Sequence, residues 1–313
     1  MNVTPGTLSV PEISLISFPL TGTASASGQM IGRFTAVTPN SLTNSSAGWT
    51  ASALSTAATP HCIRITSGAA EGRTFLISTQ APNTSTTVTI DTDEASLVDL
   101  TSLGIATGPS GDTYEIIPCD TISSIFGTPA TTGVLGGTTF RESDMLMLFT
   151  QGTWKEFFYH TPTARWVRVV PQIAANNVPI RPDAAVLYHR RGSAPLSFTV
   201  SGRVPSTARQ VAISNSGVTF LAASWPVDQT LLQTRIHQIP GWISGAFATS
   251  DYLMVLVSGT WREYYYDGAQ WKRMGFSSSS NNFIIPAGSA VILNKRGTSP
   301  AATTLTQPVP YTF

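Results

Sequence analysis

The sequence predicts an all-β protein: two similar β-sandwich or barrel-like domains from an internal duplication, with a small five-stranded β-barrel inserted in the first. Three observations predict it. Short runs rich in Val, Ile, Thr and aromatic residues recur along the chain, punctuated by Gly, Pro, Asn and Ser, while helical periodicity is nearly absent. The stretch Gly152-Thr153-Trp154-Lys155-Glu156-Phe157-Phe158-Tyr159 returns as Gly259-Thr260-Trp261-Arg262-Glu263-Tyr264-Tyr265-Tyr266. Further matches on both sides keep the same order, except over residues 29–118, which only the first copy contains.

In chain order, residues 11–20 form the first strand and residues 217–227 its counterpart, Phe18-Pro19-Leu20 matching Trp225-Pro226-Val227. Proline ends each ladder because it has no N–H to donate. Residues 30–37, 62–66, 74–79, 86–90 and 113–117 read as the five strands of the inserted barrel, with Gly72 and Asn83-Thr84 at turns. Residues 95–100 and 120–126 read as single helical turns in connections. Beyond the insertion, Ser143-Asp144 matches Ser250-Asp251, and Trp166-Val167-Arg168 matches Trp271-Lys272-Arg273. Asn176-Asn177 matches Asn281-Asn282, Arg190-Arg191-Gly192 matches Lys295-Arg296-Gly297, and Val204-Pro205 matches Val309-Pro310. The domains are then residues 1–28 (N-terminal segment and first strand of repeat one), 29–118 (inserted barrel), 119–205 (remainder of repeat one) and 206–313 (repeat two).

The aromatic strand and the following Trp form a hairpin in each copy. Asp267-Gly268 as a two-residue turn places Tyr264 opposite Trp271 and Glu263 opposite Lys272, and in the first copy Phe157 opposite Trp166. A four-residue loop shifts these pairs. Alternation puts Trp154, Glu156 and Phe158 on one face and Lys155, Phe157 and Tyr159 on the other, so both faces are partly aromatic.

Composition narrows the function classes. Ser and Thr make up about a quarter of the chain, charged residues 11%, and the formal net charge is +1. A polar, uncharged β surface follows, permissive for self-association, with no basic cluster for nucleic acid. Residues 1–10 lack both regions of a secretory signal and no run of 18 apolar residues occurs, so the chain as given is expected neither to enter a membrane nor to show its own export signal. Cys62 and Cys119 admit one disulfide in an oxidising compartment or two small buried residues in neighbouring strands. Both readings stay open.

Chemistry is sparse. The hydrolase elbow, dinucleotide fingerprint, phosphate loop and His-Glu-x-x-His are absent. His61, His160, His189 and His237 show no metal spacing, and the second copy holds Asp267 and Asn294 where the first has His160 and His189. Asp144 and Asp251 read as turn-capping acids, Glu156 and Glu263 as cross-strand charge partners. Asn44-Ser45-Ser46 and Asn83-Thr84-Ser85 match the glycosylation acceptor. Trp154, Phe158, Tyr159, Trp166, Trp261, Tyr264, Tyr265, Tyr266 and Trp271 are the candidate interface or glycan-stacking residues.

Short motifs along most of the chain carry a resemblance. They are Leu15-Ile16-Ser17-Phe18-Pro19-Leu20, Ile63-Arg64-Ile65-Thr66-Ser67-Gly68 with Glu71-Gly72-Arg73, and Tyr114-Glu115-Ile116-Ile117-Pro118 with Thr121. Trp166-Val167-Arg168, Pro182-Asp183-Ala184 and Thr199-Val200-Ser201-Gly202-Arg203-Val204-Pro205 continue them. On these the chain resembles an uncharacterised family of secreted, duplicated β-domain proteins common in verrucomicrobial and related bacteria. The resemblance implies export and carries no catalytic residues.

The expectation is a non-enzymatic extracellular or cell-surface structural subunit, without cofactor or metal, that self-assembles into a filament, sheath or surface layer. Residues 2–10 would add a strand to the sheet edge of the next subunit. The alternative is a glycan-binding or adhesion protein using surface Trp and Tyr.

Overall fold

A computed structural model of the protein describes residues 2–3, 13–22, 28–91, 99–150, 153–194, 196–198, 200–214, 216–223, 225–297 and 303–311. Its regular structure is nearly all strand, in antiparallel sheets. The short β-branched and aromatic runs dictate this, since none carries the 3.6-residue apolar stripe of a helix. Helix is confined to connections such as Ile122–Phe126, where the Thr121 hydroxyl accepts the Ser124 N–H and fixes the first turn. The helical turn expected at residues 95–100 lies mostly outside the described residues, although a 3-10 turn, Leu100–Leu103, starts at its end. Residues 4–10 also lie outside them. Asn2–Val3 pairs with Leu196–Ser197 of the same chain.

Two five-stranded sheets carry the architecture. Across the first the order is Arg165–Arg168, Thr153–His160, Met145–Thr150, Ala185–His189 and Ile13–Ser17. Across the second it is Trp271–Arg273, Thr260–Tyr266, Tyr252–Val257, Ala290–Lys295 and Gly217–Ala222. Strands that correspond in sequence occupy the same places. Small contacts repeat too: the backbone N–H of Trp166 donates to Asn176 Oδ1 at 2.8 Å, and that of Trp271 to Asn281 Oδ1 at 2.8 Å. Alternation sends Ile16, Leu146, Leu148, Phe157, Tyr159, Val186 and Tyr188 into one core. Leu221, Leu253, Val255, Tyr264, Val291 and Leu293 form the other.

The hairpin register differs from the two-residue reading. Tyr266 stands opposite Trp271, Tyr265 opposite Lys272 and Tyr264 opposite Arg273, while in the first copy Tyr159 faces Trp166 and Phe157 faces Arg168. In the second of these hairpins the cause is Asp267. Its Oδ1 accepts the Ala269 and Gln270 N–H groups at 2.9 Å each, and its own N–H donates to the Gln270 carbonyl at 3.0 Å. It therefore opens a four-residue loop instead of occupying the turn centre. Lys272 pairs with Asp267 at 2.8 Å rather than with Glu263, and Glu156 and Glu263 stand opposite Met147 and Met254.

Residues 29–118 hold seven described strands rather than five. Ile31–Arg33, Thr113–Pro118, His61–Ile65 and Thr74–Leu76 make a four-stranded sheet; Ala36–Val37, Ser41–Thr43 and Thr87–Thr89 make a three-stranded one. The strand expected at 30–37 is bent in two at Phe34, which turns into a shared core with Leu42, Trp49, Ile63, Ile65, Phe75, Val88 and Tyr114. Ser41–Thr43 has one apolar residue between two hydroxyls, too short to show alternation, yet Leu42 is fully buried. Cys62 and Cys119 are joined as a disulfide with Cα atoms 6.0 Å apart, closing the base of this module.

The two large sheets meet through the faces turned away from their cores. Leu15, Ala185 and Leu187 of the first pack on Ala290 and Ile292 of the second, with Met147, Phe220, Met254 and Trp261 around them. Ser17 seals the contact: its N–H donates to the Gly288 carbonyl at 2.8 Å and its hydroxyl to the Ser289 carbonyl at 2.7 Å. Ile16 bridges Ser289 in antiparallel fashion. Ile13–Ser17 therefore runs opposite to Ala290–Lys295, which runs opposite to Gly217–Ala222. Corresponding strands of the two sheets thus point the same way, and corresponding loops leave at the same end.

Residues 29–118 are tied to this pair through residues 207–209. Arg64 donates to the Thr207 and Ala208 carbonyls at 2.9 and 3.1 Å, and Arg209 to the Pro19 carbonyl at 2.9 Å. Burial first, and Arg64 second, push the Arg209 pKa down.

Candidate functional site

The recurring acids serve the scaffold. Asp144 is fully buried ahead of its strand; Oδ2 accepts the Leu135 N–H at 2.8 Å, the Tyr188 hydroxyl at 2.6 Å and Arg190 Nη1, and Oδ1 accepts the Arg191 N–H at 2.7 Å. Asp251 repeats the backbone part, with Oδ2 on the Ile243 N–H at 2.9 Å and Oδ1 on the Arg296 N–H at 2.7 Å. Burial and the Asp144 carboxylate push the Tyr188 pKa far up, which keeps its hydroxyl a neutral donor. Arg190 also donates to the Gly133 carbonyl at 3.3 Å, and Lys295 repeats this on the Gly241 carbonyl at 3.0 Å. With every oxygen engaged, neither carboxylate is placed for proton transfer.

The histidines are dispersed. Burial lowers the pKa of His61, His189 and His237, and His160 Nδ1 bonds the Thr163 hydroxyl at 2.7 Å. No group of three or more His, Cys, Asp or Glu among the described residues is placed to hold a metal ion. Both glycosylation acceptors are corrected by burial: Asn44 Nδ2 donates to the Tyr114 hydroxyl at 2.8 Å, and Asn83 Nδ2 to the Thr84 and Thr50 carbonyls at 2.8 and 3.0 Å. Neither amide is accessible.

The nine aromatic candidates separate into three groups. Tyr159 and Trp166 lie in the first core with ring centroids 5.9 Å apart; Tyr264 and Trp271 lie in the second. Phe158, on the other face of its strand, is also buried, at 5.9 Å from the His160 ring. A ring so enclosed has no face to offer a sugar. Trp154 and Trp261 stand where the sheets meet: the Trp154 ring is 4.6 Å from Phe220 of the second copy, and Trp261 joins the inter-sheet cluster. Tyr265 and Tyr266 remain half-buried, Tyr265 beside Phe247 at 5.6 Å and Tyr266 stacked on His237 at 4.4 Å.

Some of the large apolar side chains that face water stand just past the Trp-x-Arg motifs. Val170 is 74% exposed and Ile173 53%; at the corresponding loop beside the second sheet Met274 is 49% and Phe276 53%. Each loop is held the same way, the Val169 N–H donating to the Glu156 carbonyl and the Met274 N–H to the Glu263 carbonyl, both at 2.9 Å. The sequence carried a signal for them in Val169-Val170-Pro171-Gln172-Ile173 and Met274-Gly275-Phe276, apolar residues at loop positions in both copies. No protein-family profile, no curated protein and no solved structure matches the chain.

Proposed function

We propose that the protein is a non-enzymatic extracellular structural subunit, made of two copies of one β-unit with a module inserted in the first, that self-assembles into a filament, sheath or surface layer. The observation that carries this reading is the pair of equivalent loops exposing Val170 and Ile173, and Met274 and Phe276, at the same end of the molecule. Isolated exposed apolar residues are ordinary, but the same loop exposing them in both copies is what a repeated contact needs. The Cys62–Cys119 disulfide and the resemblance to exported proteins support a place outside the cell. Strand addition by residues 2–10 is not part of this proposal, because Asn2–Val3 already has a partner strand in its own chain.

Sedimentation velocity and negative-stain microscopy over a rising concentration series test the reading. Growing species are expected, and monodisperse monomer at the highest attainable concentration would sink it. The glycan reading keeps one supporting observation, the 38% exposure of Trp154. Saturable quenching of tryptophan fluorescence by a sugar, from monomer, belongs to that reading alone.

A further inference from the structure

We propose that the Arg209 guanidinium is the centre of a binding site for one small anion, chloride or a carboxylate, buried where residues 29–118 meet the two large sheets.

Alternation puts this cation inside. On Arg209–Ile213 the side chains of Arg209, Val211 and Ile213 share the buried face, and the latter two enter the second core. Arg209 is only 4% exposed. Of its five N–H groups one is used among the described residues, Nη2 donating to the Pro19 carbonyl at 2.9 Å, while Nε is buried without a partner. Its guanidinium carbon stands 5.9 Å from the centre of the Trp225 ring, whose own indole N–H is likewise buried and unpartnered.

The acids nearby are already committed. Glu115 takes Arg203 at 2.8 Å on one oxygen and Arg64 at 3.6 Å on the other, and Asp183 pairs with Arg181 at 3.3 Å. No carboxylate among the described residues stands at ion-pair distance from Arg209. The nearest company is a second buried cation. Arg64 spends Nη2 on the Thr207 and Ala208 carbonyls and keeps an unpartnered Nε; burial first, and Arg64 second, push the Arg209 pKa down to about 9. A guanidinium taken out of water without a counter-charge is strongly unfavourable. Water satisfies a donor but not the charge, whereas an anion does both.

A way in exists beside the cation. Pro19, whose carbonyl Arg209 holds, and Pro226, which follows Trp225, both line an open pocket of about 180 Å3 together with Ser17, Val200 and Gly288. Solvent ions reach the residues flanking Arg209 through it. The bound ion would then join three parts of the molecule: Pro19 leaves the first sheet, Trp225 follows Gly217–Ala222 of the second, and Arg64 belongs to residues 29–118.

Thermal unfolding of dilute monomer at one ionic strength, in sodium chloride, sodium acetate or sodium gluconate, tests the site. Gluconate is too large for an enclosed position. A midpoint higher by about 2 °C or more in chloride or acetate than in gluconate is expected, and the salt giving the larger rise separates a halide from a carboxylate ligand. Arg209→Met, checked for folding by near-UV circular dichroism, should lose the difference. Trp225→Phe keeps a ring but drops the indole N–H, and should need severalfold more of the same anion for the same rise. Iodide should quench a saturable fraction of the tryptophan emission of the unaltered protein, and Trp225→Phe should remove that fraction, which keeps the test decisive even where Arg209→Met fails to fold. Equal midpoints in the three salts would overturn the proposal. So would a difference that survives in folded Arg209→Met, or quenching by iodide that Trp225→Phe leaves unchanged, since either places the anion elsewhere.

Discussion

Asp144 and Asp251 hold the same place beside the two five-stranded sheets but different company. Asp144 receives a guanidinium, a phenol and backbone N–H groups, whereas the contacts of Asp251 are to backbone N–H. Asp144→Ala strands the Arg190 cation inside the protein, and its expected cost is about 3–5 kcal/mol. Asp251→Ala leaves two N–H groups without their acceptor, for which about 1–3 kcal/mol is expected. Urea unfolding of both variants decides; equal losses would refute the difference in their roles. That a capping acid recurs at this place was legible in the sequence. Tyr188 as its partner was not, because 44 residues separate the two and no local pattern links them. Trp166 and Trp271 show the same limit: their recurrence was plain, but their complete burial depends on connections from elsewhere in each copy.

At the scale of elements, one side chain set the hairpin. The Lys272 ammonium, and then the Ala269 and Gln270 N–H groups, hold the Asp267 pKa down to about 2. A carboxylate held low stabilises the fold above its ordinary value near 3.8, and that contribution is lost as pH falls through about 2. Lys272 is raised by the same pair, so its share is present below its ordinary value and lost as pH rises past the raised one. Carbon-detected NMR titration of the Asp267 carboxyl should therefore show a midpoint well under 3. Asp267→Ala is expected to cost about 1 kcal/mol through the lost turn acceptors. A midpoint at the ordinary value would remove the ion pair from the account. Residues 29–118 have a brace of their own, which ties them to Cys119. The disulfide spans 57 residues, and the paired replacement Cys62→Ala with Cys119→Ala is expected to cost roughly 4 kcal/mol by chain entropy. Thermal unfolding under oxidising conditions measures it, and an unchanged midpoint would show that the module is held by its core alone. Strand existence was largely legible here, since four of the five expected strands overlap His61–Ile65, Thr74–Leu76, Thr87–Thr89 and Thr113–Pro118. The bend at Phe34 and the short strand Ser41–Thr43 were not, because packing around one shared core makes them.

At the scale of the whole molecule, the outer aromatic faces were the obvious candidates for a partner, and part of them is spent within the chain. Leu15 and Leu187 against Ile292, with Trp261 at the margin, already form a sheet-on-sheet contact. Ile292→Asp buries a charge there; it should weaken the docking of the two sheets and expose Trp261. A red shift of tryptophan emission well below the global unfolding midpoint is the expected sign, and a single cooperative transition at the unaltered midpoint would count against it. By itself the sequence determined that this chain is nearly all β, where most of its strands lie and which segments match in the two halves. Those properties follow from side-chain alternation, turn residues and local matches, all of which act over a few residues. Only the tertiary structure decided which aromatic rings are buried, which acid meets which base, and that the two five-stranded sheets point the same way. These depend on contacts between residues tens to hundreds of positions apart, as Ser17 with Ser289 shows, and no periodicity in the chain encodes such a distance. The stretch around Trp154 thus marks the scaffold, and the loop that follows its hairpin marks the surface.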